Sequence, residues 1–435
     1  MRRFDDFRPV FSYRVAFPFL VALFLPLASA QADEFHYFNQ LIGNRASGMG
    51  GAYTAISDDP AGLYYNPAGA VYAQASNLTA SVNAFTVIEK TYSEVLGGRY
   101  DWRRESASLM PNYFGITQPF WKGILGLSFA VPDSIIEDQD QNFTTNFPSS
   151  LQGLDITQYT INIKKQDETY KFGPSFGMSI TDNFSVGLTG YFHYRSKDYI
   201  KNEYVMLDYS SSPNTYNDYE WTNYYYESNE YGFEPILGLM WSPVDKLSLG
   251  LRISKVAIFT SETVPQTTYR SEILGNITNF SYDDTVEKAS HKKREHPVNV
   301  RVGVGYFLSE SLMFTGDFSY YTATDDNYFG DREATWDVAV GSEWYFSPKL
   351  ALRAGLFTQN ANTPDVVTGK VNQAEHIDLY GGSLSLTRFT KNSTLTGGAS
   401  LSMGSGEAQI FANAPMVQKV DQLSYTIYLA TSYNY

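Results

Sequence analysis

The alternation of apolar and polar side chains over residues 423–435 constrains the fold more than any other feature of the chain. From Leu423 to Tyr435, every second residue is apolar or aromatic, with the single exception of Thr431. A period of two places these side chains on one face of a β-strand and the polar ones on the other. The strand ends on an aromatic ring, and such rings favour the boundary between membrane and water. The pattern therefore predicts a strand of a lipid-embedded barrel.

The composition agrees with strands that are half polar. Aromatic residues make up 16% of the 435-residue chain and charged residues 18%, and the mean hydropathy is -0.29. Helical membrane spans need about 20 consecutive apolar residues, whereas barrel strands average out in hydropathy. A large soluble all-β protein is the alternative. The net charge of -14 argues against a nucleic-acid partner, because basic contacts to phosphate dominate such binding.

An apolar run at residues 15–30 is expected to serve export. Four arginines precede it, and it ends in Ala28-Ser29-Ala30. The run is too short for a membrane helix and is typical of a secretory signal peptide. The chain has no cysteine, which excludes a disulfide framework. We expect residues 1–30 to be a signal peptide and the remainder to reside in the bacterial outer membrane.

Fourteen strand-like segments between residues 76 and 435 are joined by connections that alternate in length. Short turns such as 182–183 are followed by long connections, among them 133–168, 196–229 and 260–295. Bacterial outer-membrane barrels have tight periplasmic turns and long external loops. The predicted fold is all-β, a 14-stranded antiparallel transmembrane β-barrel over 76–435. The predicted strands are 76–88, 106–119, 123–132, 169–181, 184–195, 230–242, 247–259, 296–308, 311–322, 334–347, 349–359, 376–389, 393–404 and 422–435.

Charged residues fall on the face opposite the apolar one, which in a membrane barrel is the lumenal face. A turn near 308–310 would set Arg301 opposite Asp317, and a turn at residue 348 would set Glu343 opposite Arg353. Opposite charges across a ladder are favourable by roughly 0.2–1 kcal/mol. The sequence therefore predicts a lumenal charge band of these four residues. Four unrelated interior charges are the alternative.

The alternation is irregular in three places. Pro111 and Pro132 interrupt the second and third predicted strands, and proline cannot donate to a ladder. We expect an irregular wall near both. In 376–389 the apolar phase changes around Gly381-Gly382, which predicts a bulge.

Residues 31–75 do not alternate and are rich in glycine and other small residues. A phosphate-binding loop would need a strand leading into the glycines and a helix after them, and no strand-like pattern precedes them. A compact segment of short side chains can fold back into a barrel lumen. We therefore expect residues 31–75 to form an N-terminal plug.

The order of motifs in this segment resembles the FadL-type long-chain fatty acid transporters of the bacterial outer membrane. Gly48-Met49-Gly50-Gly51-Ala52-Tyr53 is followed by Asp58-Asp59-Pro60-Ala61 and then by Asn66-Pro67-Ala68, just before the first predicted strand. Family members carry a Gly-x-Gly-x-Ala-aromatic stretch, an acidic and small stretch, and Asn-Pro-Ala in that order. The resemblance implies a plug or gate that includes Gly48, Gly50, Asn66, Pro67 and Ala68.

The resemblance also implies a mechanism. A hydrophobic small molecule, such as a long-chain fatty acid or related hydrocarbon, would bind at the external loops, enter the barrel and move down its gradient past the plug. Release would be lateral, through a kinked third strand, because a lipid-like molecule gains by entering the bilayer. The corresponding wall is marked by Gly123, Gly126 and Pro132. Aromatic residues of 196–229 could line an external groove, with Trp221, Tyr224 and Tyr225 as candidates. An aromatic girdle with a solvated loop is the alternative.

The expected partners are the hydrophobic ligand, outer-membrane lipid and lipopolysaccharide, and the protein is expected to be a monomer. No nucleophile motif flanks His193, and no histidine–carboxylate spacing suggests a metal site. The sequence therefore predicts no enzyme, metal or cofactor. Two other functions stay open. The barrel could anchor a secretion or surface-protein partner, or it could modify lipids.

Overall fold

The computed structural model describes residues 35–73, 76–98, 100–148, 154–209, 218–273, 275–283, 292–326, 329–410 and 416–435. The predicted signal peptide at 1–30 lies outside the described residues, as do 31–34 and 74–75 of the predicted plug. None of the helices in these ranges has the length and apolar character needed to cross a membrane.

One antiparallel sheet contains all of the extended strands. They are β1 (Asn77–Glu94), β2 (Tyr100–Phe120), β3 (Gly123–Pro148), β4 (Leu154–Thr181), β5 (Phe184–Tyr209), β6 (Asp218–Val244), β7 (Leu247–Lys255), β8 (Ala257–Ile273), β9 (Asn276–Asp283), β10 (Val298–Phe307), β11 (Leu312–Tyr321), β12 (Thr335–Ser347), β13 (Leu350–Gln359), β14 (His376–Phe389), β15 (Ser393–Ala408) and β16 (Gln418–Asn434).

The sheet closes into a barrel, because β16 pairs with β1 and each remaining wall strand pairs with its neighbours. Strands β7 and β8 are the two halves of one wall strand, since both pair with β6 on either side of Val256. Strand β9 pairs only with β8 and forms a hairpin outside the ring. The described wall therefore has fourteen strands, and the predicted 14-stranded antiparallel barrel is confirmed.

Apolar side chains cover the outside of this barrel. In β10, Val302 and Val304 are 50% and 44% exposed, while Arg301 of the same strand is buried. In β12, Trp336 is 49% exposed and Glu343 is buried. A soluble sandwich would bury its apolar faces in a core. An apolar outer surface with charges inside is instead the arrangement of an outer-membrane-type barrel.

The barrel wall is much taller on one side than on the other. Strands β3 to β6 have 26 to 28 residues each, whereas β10, β11 and β13 have ten. A transmembrane strand needs only about 9–11 residues. The predictions of long loops at 133–168, 196–229 and 260–295 are therefore wrong for most of these residues. Beyond the bilayer no hydrocarbon demands an apolar outer face, so these strand extensions lack the simple alternation on which the prediction relied.

The tall part of the wall encloses its own apolar cluster. The buried cluster includes Leu96, Trp102, Ile161, Ile163 and Leu379 from different strands and from the short helix α3 (Val95–Gly98). The end of β14 that lies in the tall part of the wall, here called its upper part, therefore carries Ile377 and Leu379 on the inward face. The rest of that face carries serine and threonine. The phase of β14 does not change, and its pairing with both neighbours is continuous. The predicted bulge at Gly381-Gly382 is wrong, because the inward face changes in polarity and not in register.

Residues 35–73, here called the N-terminal segment, lie against the inner face of the barrel. They contain two short helices, α1 (Asn44–Gly48) and α2 (Gly62–Tyr65), followed by a 3-10 helix (Pro67–Tyr72). Inward-facing glycines of the wall give their backbone room. A Cβ added to Gly355 or Gly341 would collide with Met49, and one added to Gly187 would collide with Pro67. The glycines of the wall therefore match the path of the N-terminal segment.

Candidate functional site

The Asn66-Pro67-Ala68 motif fixes the end of the N-terminal segment to the wall. Asn66 Oδ1 accepts from the Ala68 amide at 3.1 Å and so caps the 3-10 helix, with Pro67 in the first turn. The Asn66 Nδ2 group donates to the Thr54 carbonyl at 2.8 Å and to the Leu239 carbonyl of β6 at 3.0 Å. One side chain thus joins the cap, the segment and the barrel.

Gly48 and Gly50 lie where the segment passes closest to β13 and β14. Gly50 has a φ of +66°, and a Cβ there would lie 3.1 Å from the Leu356 carbonyl oxygen. Its amide donates to Ser383 Oγ at 2.9 Å. A Cβ on Gly48 would collide with the Ser385 side chain. Gly50 therefore requires glycine for its conformation, whereas a side chain at Gly48 would have to displace the Ser385 side chain.

Glu343 connects the segment to the wall through two arginines. It lies directly opposite Arg353 in the β12–β13 ladder, as the hairpin register predicts, and Arg353 Nε donates to it at 2.6 Å. From the other side, Arg45 of helix α1 donates to both carboxylate oxygens at 3.1 and 2.5 Å. Arg45 also pairs with Asp58. Arg45 is not among the predicted site residues, although it is the only charged residue in 43–55.

Arg301 and Asp317 are both buried on the lumenal face, but the predicted pairing is wrong by two residues. Arg301 lies opposite Ser319, and Asp317 lies opposite Gly303. The turn after β10 is longer than expected, with the Ser309 amide donating to the Leu312 carbonyl. Asp317 instead accepts from the backbone amides of Tyr53 and Thr54 at 3.0 Å each, and from Thr54 Oγ1 at 2.7 Å. The predicted charge band therefore contains two separate sites that bind the N-terminal segment, one at Glu343 and one at Asp317.

A cavity of about 190 Å³ lies between the N-terminal segment and the wall. Segment residues, with Tyr64 prominent among them, form one side. Lys171 and Arg252 from the wall each lie 5.8 Å from the ring centroid of Tyr64. Six arginines and lysines line the cavity, against four aspartates and glutamates. The remaining lining includes aromatic rings, so the cavity combines apolar surface with an excess of positive charge. The aromatic lining residues are Tyr37, Phe38, Tyr64, Tyr321 and Phe329.

The wall beside this cavity is interrupted between β2 and β3. Within 100–148, all of which the structure describes, the β2–β3 ladder has no pairs between residues 107–112 and 131–136. The β3–β4 register also shifts between Ala130 and Asp133. Pro132 lies in that shift and lines the cavity, and the irregular wall expected near Pro111 and Pro132 is present. Pro111 and Pro132 each offer no amide to the ladder, which contributes to the break.

The other two residues of the expected lateral opening lie elsewhere. Gly123 and Gly126 are paired with both β2 and β4 in regular ladders. Gly126 instead leaves room for Leu63 of the segment. The structure therefore places no wall interruption at Gly123 or Gly126.

Segment residues contact both sides of the interruption. Gln40 Nε2 donates to the Ser134 carbonyl of β3 at 3.4 Å. Asn112 of β2 donates to the Leu41 carbonyl at 2.9 Å and to Asn83 Oδ1 at 2.8 Å. Gln40 Oε1 in turn accepts from Asn83 Nδ2 at 2.9 Å. This polar group is not among the predicted site residues, because isolated Asn and Gln residues form no pattern in the sequence.

The residues of the expected external groove do not share a face. Trp221, Tyr224 and Tyr225 lie on β6 and not in a loop. Successive side chains of a strand point to opposite faces. Tyr224 therefore shares the inward face with Glu234, which lines the cavity, whereas Trp221 and Tyr225 share the other face. A single groove formed by all three residues is excluded by this geometry.

Comparison with known proteins gives matches at the level of structure. No family model matches the chain, and no curated protein matches it either. A FadL homologue of Pseudomonas aeruginosa is 14% identical, with a TM-score of 0.61 over 92% of this chain and 99% of that chain. The toluene transporter TodX of P. putida is 12% identical, with a TM-score of 0.63 over 91% and 99%. The toluene transporter TbuX of Ralstonia pickettii is 13% identical, with a TM-score of 0.57 over 91% and 98%.

The chain has the FadL-type fold. The likeness extends over nearly the full length of each of the three solved chains, so it covers the barrel as a whole. In this FadL-type barrel, the N-terminal segment, the cavity beside Tyr64 and the β2–β3 interruption lie next to one another.

Proposed function

We propose that the chain is a FadL-type channel of the bacterial outer membrane, acting as a monomer in the passive uptake of hydrophobic small molecules. The N-terminal segment is the plug, and the β2–β3 interruption is the lateral exit. The cavity carries the proposal, because its lining comes from the segment on one side and includes Pro132 of the interrupted wall on the other. A ligand bound there contacts both the plug and the exit.

The lining of the cavity favours a ligand that is apolar with an anionic group. Aromatic rings provide apolar contact area. Lys171 and Arg252 lie over Tyr64 and share Glu234 as their carboxylate partner, at 2.7 and 3.3 Å. Two cations with one common carboxylate leave positive charge for a ligand. This supports long-chain fatty acids over neutral aromatic hydrocarbons as the substrate class.

The contacts around Gln40 support lateral release gated by the plug. The polar group of Gln40, Asn83 and Asn112 joins the segment to β1 and β2, while Gln40 also reaches β3. Movement of residues 38–41 away from the wall would uncover the interruption. Each hydrogen bond contributes only about 0.5–1.5 kcal/mol, so ligand binding is sufficient to break a few of them.

Crosslinking the plug to the wall tests this proposal. The natural chain has no cysteine, so Gln40→Cys combined with Asn83→Cys gives one defined pair where the two side chains now touch. After treatment of cells with a short thiol crosslinker that a reductant can cleave, we expect uptake of labelled oleate to fall to that of cells without the protein. Reduction should restore it.

The matched control joins two positions of one rim turn. The Ser309 and Ser311 side chains are 3.2 Å apart and exposed, so Ser309→Cys with Ser311→Cys undergoes the same chemistry without fixing the plug. We expect unchanged uptake for this pair. Uptake by the crosslinked Gln40/Asn83 pair at the rate of the uncrosslinked protein would show that the plug need not move there.

A further inference from the structure

Two histidines and a glutamate meet at the wall of the cavity. They are His193 of β5, Glu230 of β6 and His296, which lies two residues before β10. One potential ligand atom from each lies within 4.8 Å of the others. Among the described residues, these three side chains form the group whose potential ligand atoms lie close enough together to hold a metal ion.

The barrel register explains how these distant residues meet. His193 lies opposite Gly232 in the β5–β6 ladder, and Glu230 lies two residues further along β6 on the same face. The chain then passes through β7, β8 and β9 before His296 returns to the wall. The rings of His193 and His296 are 5.6 Å apart, edge to face. Their separation in sequence explains why no motif spacing revealed the site.

Three of the four imidazole nitrogens in this cluster lack a hydrogen-bond partner among the described residues. His193 is 3% exposed, and neither its Nδ1 nor its Nε2 has a partner among the described residues; the same holds for Nε2 of His296. Leaving a buried polar atom unsatisfied costs about 1–3 kcal/mol. Such atoms in a native protein therefore require a specific explanation. A coordinated metal ion would satisfy nitrogen atoms of both histidines.

The nearby positive charges are already paired with carboxylates. Arg294 Nε donates to Glu230 Oε1 at 3.1 Å. Arg195 is paired with Asp167 at 2.8 Å, and Lys171 is paired with Glu234 at 2.7 Å. Each of these three cations thus has a carboxylate partner, although Glu234 is shared between Lys171 and Arg252. Glu230 would exchange part of its interaction with Arg294 for a bond to the metal.

We propose that His193, Glu230 and His296 bind a divalent transition-metal ion, with zinc as the ion that fits the ligand set best. Imidazole suits zinc, copper and nickel, whereas calcium and magnesium favour sets of oxygen ligands. Two histidines and one glutamate are three of the four ligands of a tetrahedral site, and the fourth position stays open. Here that position faces the cavity, because both histidines line it. The proposal does not depend on what the channel transports.

Metal binding by the purified full-length protein in detergent tests the proposal. After stripping with a chelator, we expect one Zn²⁺ per barrel by calorimetry and by elemental analysis. Cobalt in place of zinc should give the intense visible absorption of tetrahedral coordination. His193→Ala and Glu230→Gln should each weaken Zn²⁺ binding at least about tenfold. The cobalt spectrum of the unaltered protein keeps the test valid if either variant fails to fold.

His376→Ala is the matched control. His376 is partly buried, its Nδ1 is bonded to the Thr363 carbonyl oxygen at 2.6 Å, and it lies outside the cluster. We expect this variant to bind Zn²⁺ as tightly as the unaltered protein. Less than one tightly held Zn²⁺ per barrel, no tetrahedral cobalt spectrum, or unchanged affinity in folded His193→Ala protein would each overturn the proposal.

Discussion

A single carboxylate, Glu343, holds arginines from two separate parts of the fold. It is 1% exposed and contacts Arg45 of the N-terminal segment and Arg353 of β13. A buried charge that loses its partner is strongly destabilising, by about 3–5 kcal/mol. At the scale of one residue, the attachment of the N-terminal segment to the barrel therefore depends on the buried charge of Glu343.

We expect Glu343→Gln to lower the stability of the folded protein by about 3–5 kcal/mol. The amide keeps the shape of the side chain but leaves Arg353, which is also 1% exposed, without its carboxylate. Urea unfolding, followed by the mobility shift of the folded barrel on unheated gels, measures the effect. Glu310→Gln, at an exposed turn, is the control and should unfold at the unaltered urea concentration. Equal midpoints for the two variants would contradict the role assigned to Glu343.

At the scale of elements, sequence predicted the strands in the membrane but not their extensions. Within the bilayer, hydrocarbon requires an apolar outward face, so β10 and β12 could be located from alternation alone. The parts of β3 to β6 beyond the bilayer have no such requirement, so the sequence predicts loops there. A weaker signal was present, because Tyr159, Ile161 and Ile163 alternate and all three are buried in the upper cluster. The charge pairing at Arg301 failed for a different reason, since the length of a turn sets the register and the sequence does not specify that length.

The upper wall is predicted to be stabilised by its own apolar cluster, independently of the membrane. Ile163→Asn places an amide where the isoleucine is 3% exposed. Burying a polar group without partners costs about 1–3 kcal/mol by protein mutational data, so the upper strands should open while the membrane-embedded part stays folded. Limited proteolysis should then cut within β3 to β6, while the mobility shift on unheated gels persists.

Ile277→Asn is the control for this variant, because Ile277 belongs to the β9 hairpin and is 67% exposed. It should show the cleavage pattern of the unaltered protein. Loss of the mobility shift in Ile163→Asn would mean that the two parts of the wall unfold as one unit.

At the scale of the whole molecule, the charge of the protein and the charge of its cavity have opposite signs. The chain carries a net charge of -14, yet arginines and lysines outnumber acidic residues six to four around the cavity. An anionic ligand is therefore repelled at long range and attracted once inside. Salt separates the two effects, because the Debye length falls from about 30 Å at 0.01 M to about 10 Å at 0.1 M, while partly buried charges are screened much less.

On the proposed function, we therefore expect added salt to speed the association of a fatty acid carboxylate with the purified protein, and to leave its dissociation nearly unchanged. Stopped-flow fluorescence with a labelled fatty acid measures both rates, at salt concentrations from about 0.01 to about 0.1 M, over which the Debye length changes as given above. The matching neutral fatty alcohol has no charge for the protein to repel, so its association should not change with salt. If the carboxylate instead bound more slowly as salt increased, the positive charge of the cavity would already govern its approach from solution, and the net charge of the molecule would have no part in ligand selection.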